Sequence, residues 1–144
     1  MARILFIESD PYQIDAMREM LMREGYDVAV ARSVAEGEHA IEEEKYDTVV
    51  LELSLPPGSS QIPQLAGAMS GGMYLLRKIQ QTSPSTPIII FTGFLPAEII
   101  KLLSMYGLAE VPPIVRKGGP WAGLRDFIGL IKANVARKAE FYND

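Results

Sequence analysis

Four places in the chain carry side chains capable of chemistry, and each follows an apolar run. Ile4-Leu5-Phe6-Ile7 leads into Glu8, Ser9 and Asp10. Val49-Val50-Leu51 leads into Glu52 and, past Leu53, Ser54. Ile88-Ile89-Ile90-Phe91 ends on Thr92, and Ile114-Val115-Arg116 ends on Lys117. The groups on offer are carboxylates, hydroxyls and one amine. The chain has no cysteine, which excludes disulfides, thiolate metal sites and a Cys nucleophile and fits a reducing compartment. Ser9 is a poor nucleophile, because no histidine stands in any of these motifs. The sole histidine, His39, lies in a helical stretch among charges and reads as a solvated surface residue. Glu52 poses a sharper problem. Val50, Leu51, Leu53 and Leu55 surround it, and a carboxylate in such company is costly unless something pairs with it.

The elements that must carry these groups alternate. Residues 4–7 form a strand with both faces buried, as in a parallel sheet covered by helices. Asp10 as N-cap and Pro11 at the first helical position open a helix through IDAMREMLMREG. There Ile14, Met17, Met20 and Leu21 recur at helical spacing and Gly25 is the stop. Residues 26–31 read as a second strand. Ser33, with Glu36 at capping-box spacing, opens a helix to about residue 44. A third strand (47–53), a helix (73–81), a fourth strand (87–91) and a helix (96–106) follow. The short fifth strand, 113–116, has two prolines at its head, which suits a sheet edge. A last helix runs from Pro120 to about residue 138, with Leu124, Phe127, Ile128 and Ile131 on one face. Tyr26, Tyr46 and Met73 read as core or half-core residues. Five strands alternating with five helices predict an α/β fold, a doubly wound parallel sheet with right-handed crossovers. The length, 144 residues, predicts a single domain over 1–144.

One segment breaks the rhythm. No charged residue occurs from Leu53 to Leu76, and within it PPGSSQIPQLAGAMSGG is rich in Gly, Pro and Ser. Residues 57–72 therefore read as an insertion between the third strand and the third helix. Loops of that length are usually functional or disordered. Ile62, Leu65 and Met69, spaced by three and four, allow one short amphipathic helix. Flexible filler, a cover over the strand ends and a partner-binding surface are the three readings.

In open parallel sheets ligands gather beyond the carboxyl ends of the strands, so the four motifs converge on one rim. ILFIESDP, YDTVVLELSLP, PIIIFTG and IVRKGG occur in that order. With them the chain resembles a response-regulator receiver (CheY-like) domain from Arg3 to about Ala136. The resemblance implies a flavodoxin-like sheet of order 2-1-3-4-5. It assigns Glu8 and Ser9 to the family's acidic pair and Glu52 to the phosphoacceptor position. It makes Thr92 and Lys117 the phosphoryl partners, and Glu8, Glu52 and the Ser54 carbonyl the ligands of Mg²⁺. The departures matter as much. The family has Asp where this chain has Glu52, and a second acid where it has Ser9. Gly118 replaces the proline after the lysine, and Ile114 replaces an aromatic. Octahedral Mg²⁺ demands oxygen ligands at ~2.0–2.1 Å. A lost carboxylate at Ser9 and an added methylene at Glu8 and Glu52 weaken such a site. The longer Glu52 side chain reaches toward where a phosphoryl group on Asp would lie, a partial mimic with one charge against ~1.5–2. A Glu52–Lys117 ion pair would satisfy the buried charge.

The resemblance implies a stand-alone receiver-like domain of two-component phosphorelay signalling. The departures make it a degenerate one, acting by protein–protein interaction without Asp phosphorylation and not as an enzyme. A Mg²⁺-dependent phosphoacceptor with unusual ligands is the alternative, so the cofactor expectation is none, with a weakened Mg²⁺ site left open. The expected partner is a protein: a histidine kinase, an output protein or a second copy in a homodimer. It would dock through the fourth helix, fifth strand and fifth helix (Lys101, Arg116, Asp126, Lys132) or through the 57–72 insertion. A net charge of −4 argues against nucleic acid. No apolar run approaches the ~20 residues that span a bilayer, and the N-terminus reads as a strand, not a signal peptide. The expectation is a cytoplasmic protein with no membrane partner. A flavodoxin-like cofactor binder is disfavoured, because the acidic turn Glu8-Ser9-Asp10-Pro11 would repel phosphate.

Overall fold

The central strands are buried along their length, and their side chains alternate between two apolar layers, one on each face of the sheet. The computed structural model describes residues 2–59, 70–94, 96–105, 111–117 and 121–143. Its strands are β1 (Arg3–Ile7), β2 (Asp27–Ala31), β3 (Thr48–Leu51), β4 (Ile88–Thr92) and β5 (Ile114–Arg116). They pair in parallel in the order β2-β1-β3-β4-β5. The helices are α1 (Asp15–Arg23), α2 (Val34–Glu43), α3 (Ser70–Thr82), α4 (Pro96–Met105) and α5 (Trp121–Asn143). On one face Leu5, Ile7, Val49, Leu51, Ile88 and Ile90 pack against Val34, Met73, Leu76, Ile79, Ile99 and Leu103 of α2, α3 and α4. On the other, Ile4, Phe6, Val50 and Ile89 meet Met17, Leu21, Phe127, Ile128 and Ile131 of α1 and α5. This is the doubly wound parallel sheet that the alternation of elements predicts. Among the described residues, no helix is long and apolar enough to cross a membrane.

Tyr46 and Met73 are buried, and Tyr26 packs half-buried beside the α1–α5 layer. Ser33 caps α2 by accepting the Glu36 N–H at 3.1 Å, and Glu36 reaches back to the Arg32 N–H at 3.2 Å. Several details differ from expectation: α3 begins at Ser70, so the last three residues of the 57–72 interval are helical, and α5 runs on to Asn143. Asp10 caps a 3-10 turn, Pro11–Gln13, by accepting the Tyr12 N–H at 3.1 Å, and α1 begins only at Asp15. The Ile14 N–H bonds back to the Pro11 carbonyl at 3.1 Å, which closes the tighter turn first. Met20 is 37% exposed, because the buried stripe of α1 is narrow and holds only Met17 and Leu21. The side chain of Leu124 and most of the 57–72 segment, with Ile62, Leu65 and Met69, lie outside the described residues.

The two ends of that segment are anchored by the backbone. After β3 the chain runs along α2, and its Pro56 and Pro57 carbonyls accept the Val34 and Ala35 N–H groups at 3.0 and 3.2 Å. These N–H groups lie in the first turn of α2, which has no intrahelical partner for them. Gly58 then turns with φ +63°, where a Cβ would meet Ser33 Oγ at 2.7 Å. At the far end Gly72 N–H bonds the Leu53 carbonyl at 2.9 Å. A Cβ at Gly72 would lie 2.2 Å from Leu53 Cα, so only glycine lets α3 approach the end of β3.

Gly72→Ala is therefore expected to cost about 3 kcal/mol, the upper range for forcing extra atoms into a packed site. Gly129→Ala is the contrast. A Cβ there meets nothing within 4 Å on an exposed turn of α5, and the change is expected to stabilise by about 0.5–1 kcal/mol through helix propensity. Urea midpoints of the two variants check the pair; similar values would refute the close-approach argument.

Candidate functional site

Strand register decides which side chains share the rim. Phe6 pairs with Val50, Val50 with Ile89, and Phe91 with Val115. Side chains two residues apart on a strand lie on the same face. Glu8, Glu52 and Phe91 therefore form the next row on the α1–α5 face, and Lys117 follows Val115 one step further. The ladder continues past the strand ends: Glu8 N–H bonds the Ala31 carbonyl at 2.8 Å, Glu52 N–H the Ile7 carbonyl at 3.0 Å, and Lys117 N–H the Thr92 carbonyl at 2.8 Å. Two carboxylates are thus set side by side on neighbouring strands, an arrangement that repels unless a cation lies between them.

Lys117 is that cation. Its ammonium donates to Glu8 Oε1 and, at 3.1 Å, to Glu52 Oε1. The stem crosses Phe91, with Nζ 5.5 Å from the ring centroid, and Phe91 is itself backed by Phe127 of α5 at 4.9 Å. Glu52 is 8% exposed and Glu8 3%. The second oxygen of Glu52 accepts the Leu53 N–H at 2.8 Å, so both its oxygens are engaged. The second oxygen of Glu8 is buried and has no hydrogen-bond partner.

The remaining residues of the four motifs stand apart from this triad. Ser9 is exposed and Ser54 half-buried. Asp10 caps the turn after β1. Thr92 is fully buried, shares the strand parity of Ile88 and Ile90, and accepts the Phe94 N–H at 3.4 Å. His39 is exposed on α2, 4.0 Å from Glu43. Sequence reasoning pairs Lys117 with Glu52 and misses Glu8 as its second partner. The signal was the shared parity of Glu8 and Glu52 on adjacent strands. As arranged, the rim does not fit Mg²⁺. The two glutamates turn toward an ammonium, Ser9 brings no charge, and the Asp10 carboxylate serves a backbone N–H. Among the described residues no group of three or more His, Asp or Glu side chains is placed to share an ion.

The Glu8 carboxyl is held above its ordinary value of 4.5, by burial first; Lys117 pulls it down, and the charges of Glu52 and Asp10 push it up. A carboxyl with a raised value in the folded chain binds its proton more tightly there than when unfolded. Its contribution to stability is fully present below the unfolded value and is lost as pH rises through the folded one. The Glu8 carboxyl carbon is expected to titrate by NMR above 4.5, and Glu8→Gln to remove the matching fall in stability. A midpoint at or below the ordinary value contradicts this.

The sequence matches the response regulator receiver domain family over residues 4–109. The transcriptional regulatory proteins GlrR of Escherichia coli K12 and QseF of E. coli O157:H7 are each 32% identical over 92 residues. That stretch is 64% of this chain and 18% of each relative, so the chain spans less than a fifth of their length. Among solved structures, a CheY-like receiver domain protein from Methanospirillum hungatei JF-1 has a TM-score of 0.74 at 24% identity, over 97% of this chain and 98% of that one. The signal receiver domain of an HD domain-containing protein from Pseudomonas fluorescens Pf-5 has a TM-score of 0.74 at 19% identity, over 99% and 92%. The structural likenesses show the fold, and the family match covers all of the sheet up to β4 together with the Glu8, Glu52 and Thr92 motifs. The chain belongs to the response regulator receiver domain family.

Proposed function

We propose that this receiver domain serves two-component signalling as a static interaction module that does not cycle through phosphorylation of an acid. One observation carries the reading: the carboxylate at the phosphoacceptor position, Glu52, is bonded at both oxygens, by Lys117 and by the Leu53 N–H. To accept a phosphoryl group Glu52 would have to give up an ammonium and a backbone donor inside a nearly closed site. Removing one member of a buried ion pair costs about 3–5 kcal/mol. The pairing also resembles, with one charge, the contact that a phosphoryl group would make to the lysine, and so favours one fixed state of the rim.

The partner in this reading is a protein: a histidine kinase, an output protein or a second copy. The surface of α4, β5 and α5 supports it. Ile100, Met105 and Val111 are exposed large apolar residues there, and Lys101, Arg116 and Asp126 are exposed beside them. Lys132 is engaged by Glu24 at 2.5 Å. The 57–72 segment is the second candidate surface. Both placements are cytoplasmic in this reading. Thr92 and Lys117 favour the alternative, a Mg²⁺-dependent phosphoacceptor, because both phosphoryl-partner positions are kept.

Intact-mass measurement after incubation with acetyl phosphate and Mg²⁺ separates the two. The mass is expected to stay unchanged. Stoichiometric gain of a phosphoryl group on Glu52 or Asp10 overturns the static reading.

A further inference from the structure

The buried stripe of α5 runs through Phe127, Ile128 and Ile131, and its next place is held by an amide, Asn134, which is 2% exposed. An amide buried there is costly unless it is hydrogen-bonded. Its Nδ2 donates to Thr48 Oγ1 at a long 3.4 Å, and the Thr48 hydroxyl donates in turn to the Pro87 carbonyl at 3.2 Å. That chain fixes how the amide is turned: its N–H side faces Thr48, and its carbonyl oxygen is left as an acceptor. Among the described residues the bond to Thr48 is the amide's one hydrogen bond, and the oxygen is not sealed in as the Glu8 oxygen is. Asn134 lines a cavity of about 520 Å³ at the amino ends of β4 and β5, and that cavity is where a ligand can meet the acceptor. It lies at the end of the sheet away from Glu8, Glu52 and Lys117.

The rest of the lining narrows the chemistry. Pro84 and Pro87 reach the cavity from the α3–β4 connection, and Pro112 and Pro113 from the approach to β5. Proline has no N–H, so these walls offer apolar ring faces and no backbone donor. Arg137 stands three residues after Asn134, a spacing that puts the two on one face of α5, and it is exposed at the cavity. Among the described residues it is the one charged side chain of the lining. A guanidinium matches a carboxylate in fork geometry, and no acid of that lining competes for it. The volume falls within the ~300–1,000 Å³ of small-molecule sites. We propose that this cavity binds a small aromatic carboxylate bearing a hydroxyl group. The carboxylate pairs with Arg137, the ring lies against the prolines, and the hydroxyl donates to the Asn134 amide oxygen. The site is separate from the rim, so it stands whether or not Glu52 takes a phosphoryl group.

The test is a titration with para-hydroxybenzoate, benzoate and para-hydroxybenzamide, followed by amide NMR and by the thermal midpoint. In the native chain para-hydroxybenzoate is expected to shift the Asn134 side-chain amide and the Thr86 and Ile88 backbone signals saturably, and to raise the midpoint with the logarithm of its concentration. Benzoate, which lacks the hydroxyl, is expected to bind about fivefold more weakly, and para-hydroxybenzamide, which lacks the charge, about tenfold or more. Arg137 is exposed, so Arg137→Gln is expected to fold as the native chain does; it loses the preference for carboxylate over carboxamide and keeps the preference for the hydroxyl. Asn134→Leu is expected to do the reverse. No saturable response to para-hydroxybenzoate at millimolar concentration overturns the proposal. So does a carboxylate preference that survives Arg137→Gln, or a response confined to Glu8, Glu52 and Lys117. Should Asn134→Leu fail to fold, the native chain still decides: equal affinity for benzoate and para-hydroxybenzoate overturns the contact to Asn134.

Discussion

Two carboxylates on neighbouring strands, held together by one ammonium from a third, are the constraint on which the rim depends. Glu8 and Glu52 are adjacent because β1 and β3 pair in register, and both are buried. Among the described residues Lys117 is the cation that offsets the repulsion, and it arrives from the edge strand on the far side of β4. The contact therefore ties β1, β3 and β5 together just beyond their last ladder hydrogen bonds. Edge strand β5 is three residues long and pairs on one side only, with β4. The Lys117 contact adds a side-chain tie to that ladder.

The opposite end of the sheet is held by a different kind of contact. Arg3 bonds Asp27 at 2.8 Å, pairs with Glu44 and lies over the Tyr46 ring at 5.3 Å, while its backbone N–H bonds Asp47 at 2.7 Å. These groups are partly exposed, and solvent screens such pairs to a fraction of a kcal/mol up to about 1 kcal/mol each. They frame the amino ends of β1, β2 and β3 without concentrating charge in a closed space. The contrast places the unbalanced electrostatics of the molecule at the carboxyl rim, where family members carry their chemistry.

Most of the fold was legible because each strand is an apolar run that stops at a polar residue, and each crossover carries helical spacing. The pairing of Glu52 with Lys117 was legible too, from one buried acid and one amine that the topology brings to the same rim. Glu8 was harder. Its place in the triad follows from parity, which means something only once the register of β1 against β3 is known. Asp10 announces a cap but not which kind of turn it caps, since Pro11 suits either. Met20 follows the helical period of α1, but a period gives the direction of the buried stripe and not its width. Gly72 left no trace at all. A glycine in a Gly-rich stretch looks like loop, and only the approach of α3 to Leu53 shows that it is a packing residue.

The two backbone anchors around the uncharged segment have a consequence for how this part of the chain can diverge. On one side Pro56 and Pro57 serve the first turn of α2; on the other Gly72 is locked to Leu53. Between such fixed points the entropy of closing the chain grows only logarithmically, about 0.6 kcal/mol for each doubling of length. Residues gained or lost between the two anchors need not change the hydrogen bonds that hold either end. A single residue gained inside either anchor would shift a hydrogen-bonded register. Variation in length is thereby channelled into the stretch between the two anchors.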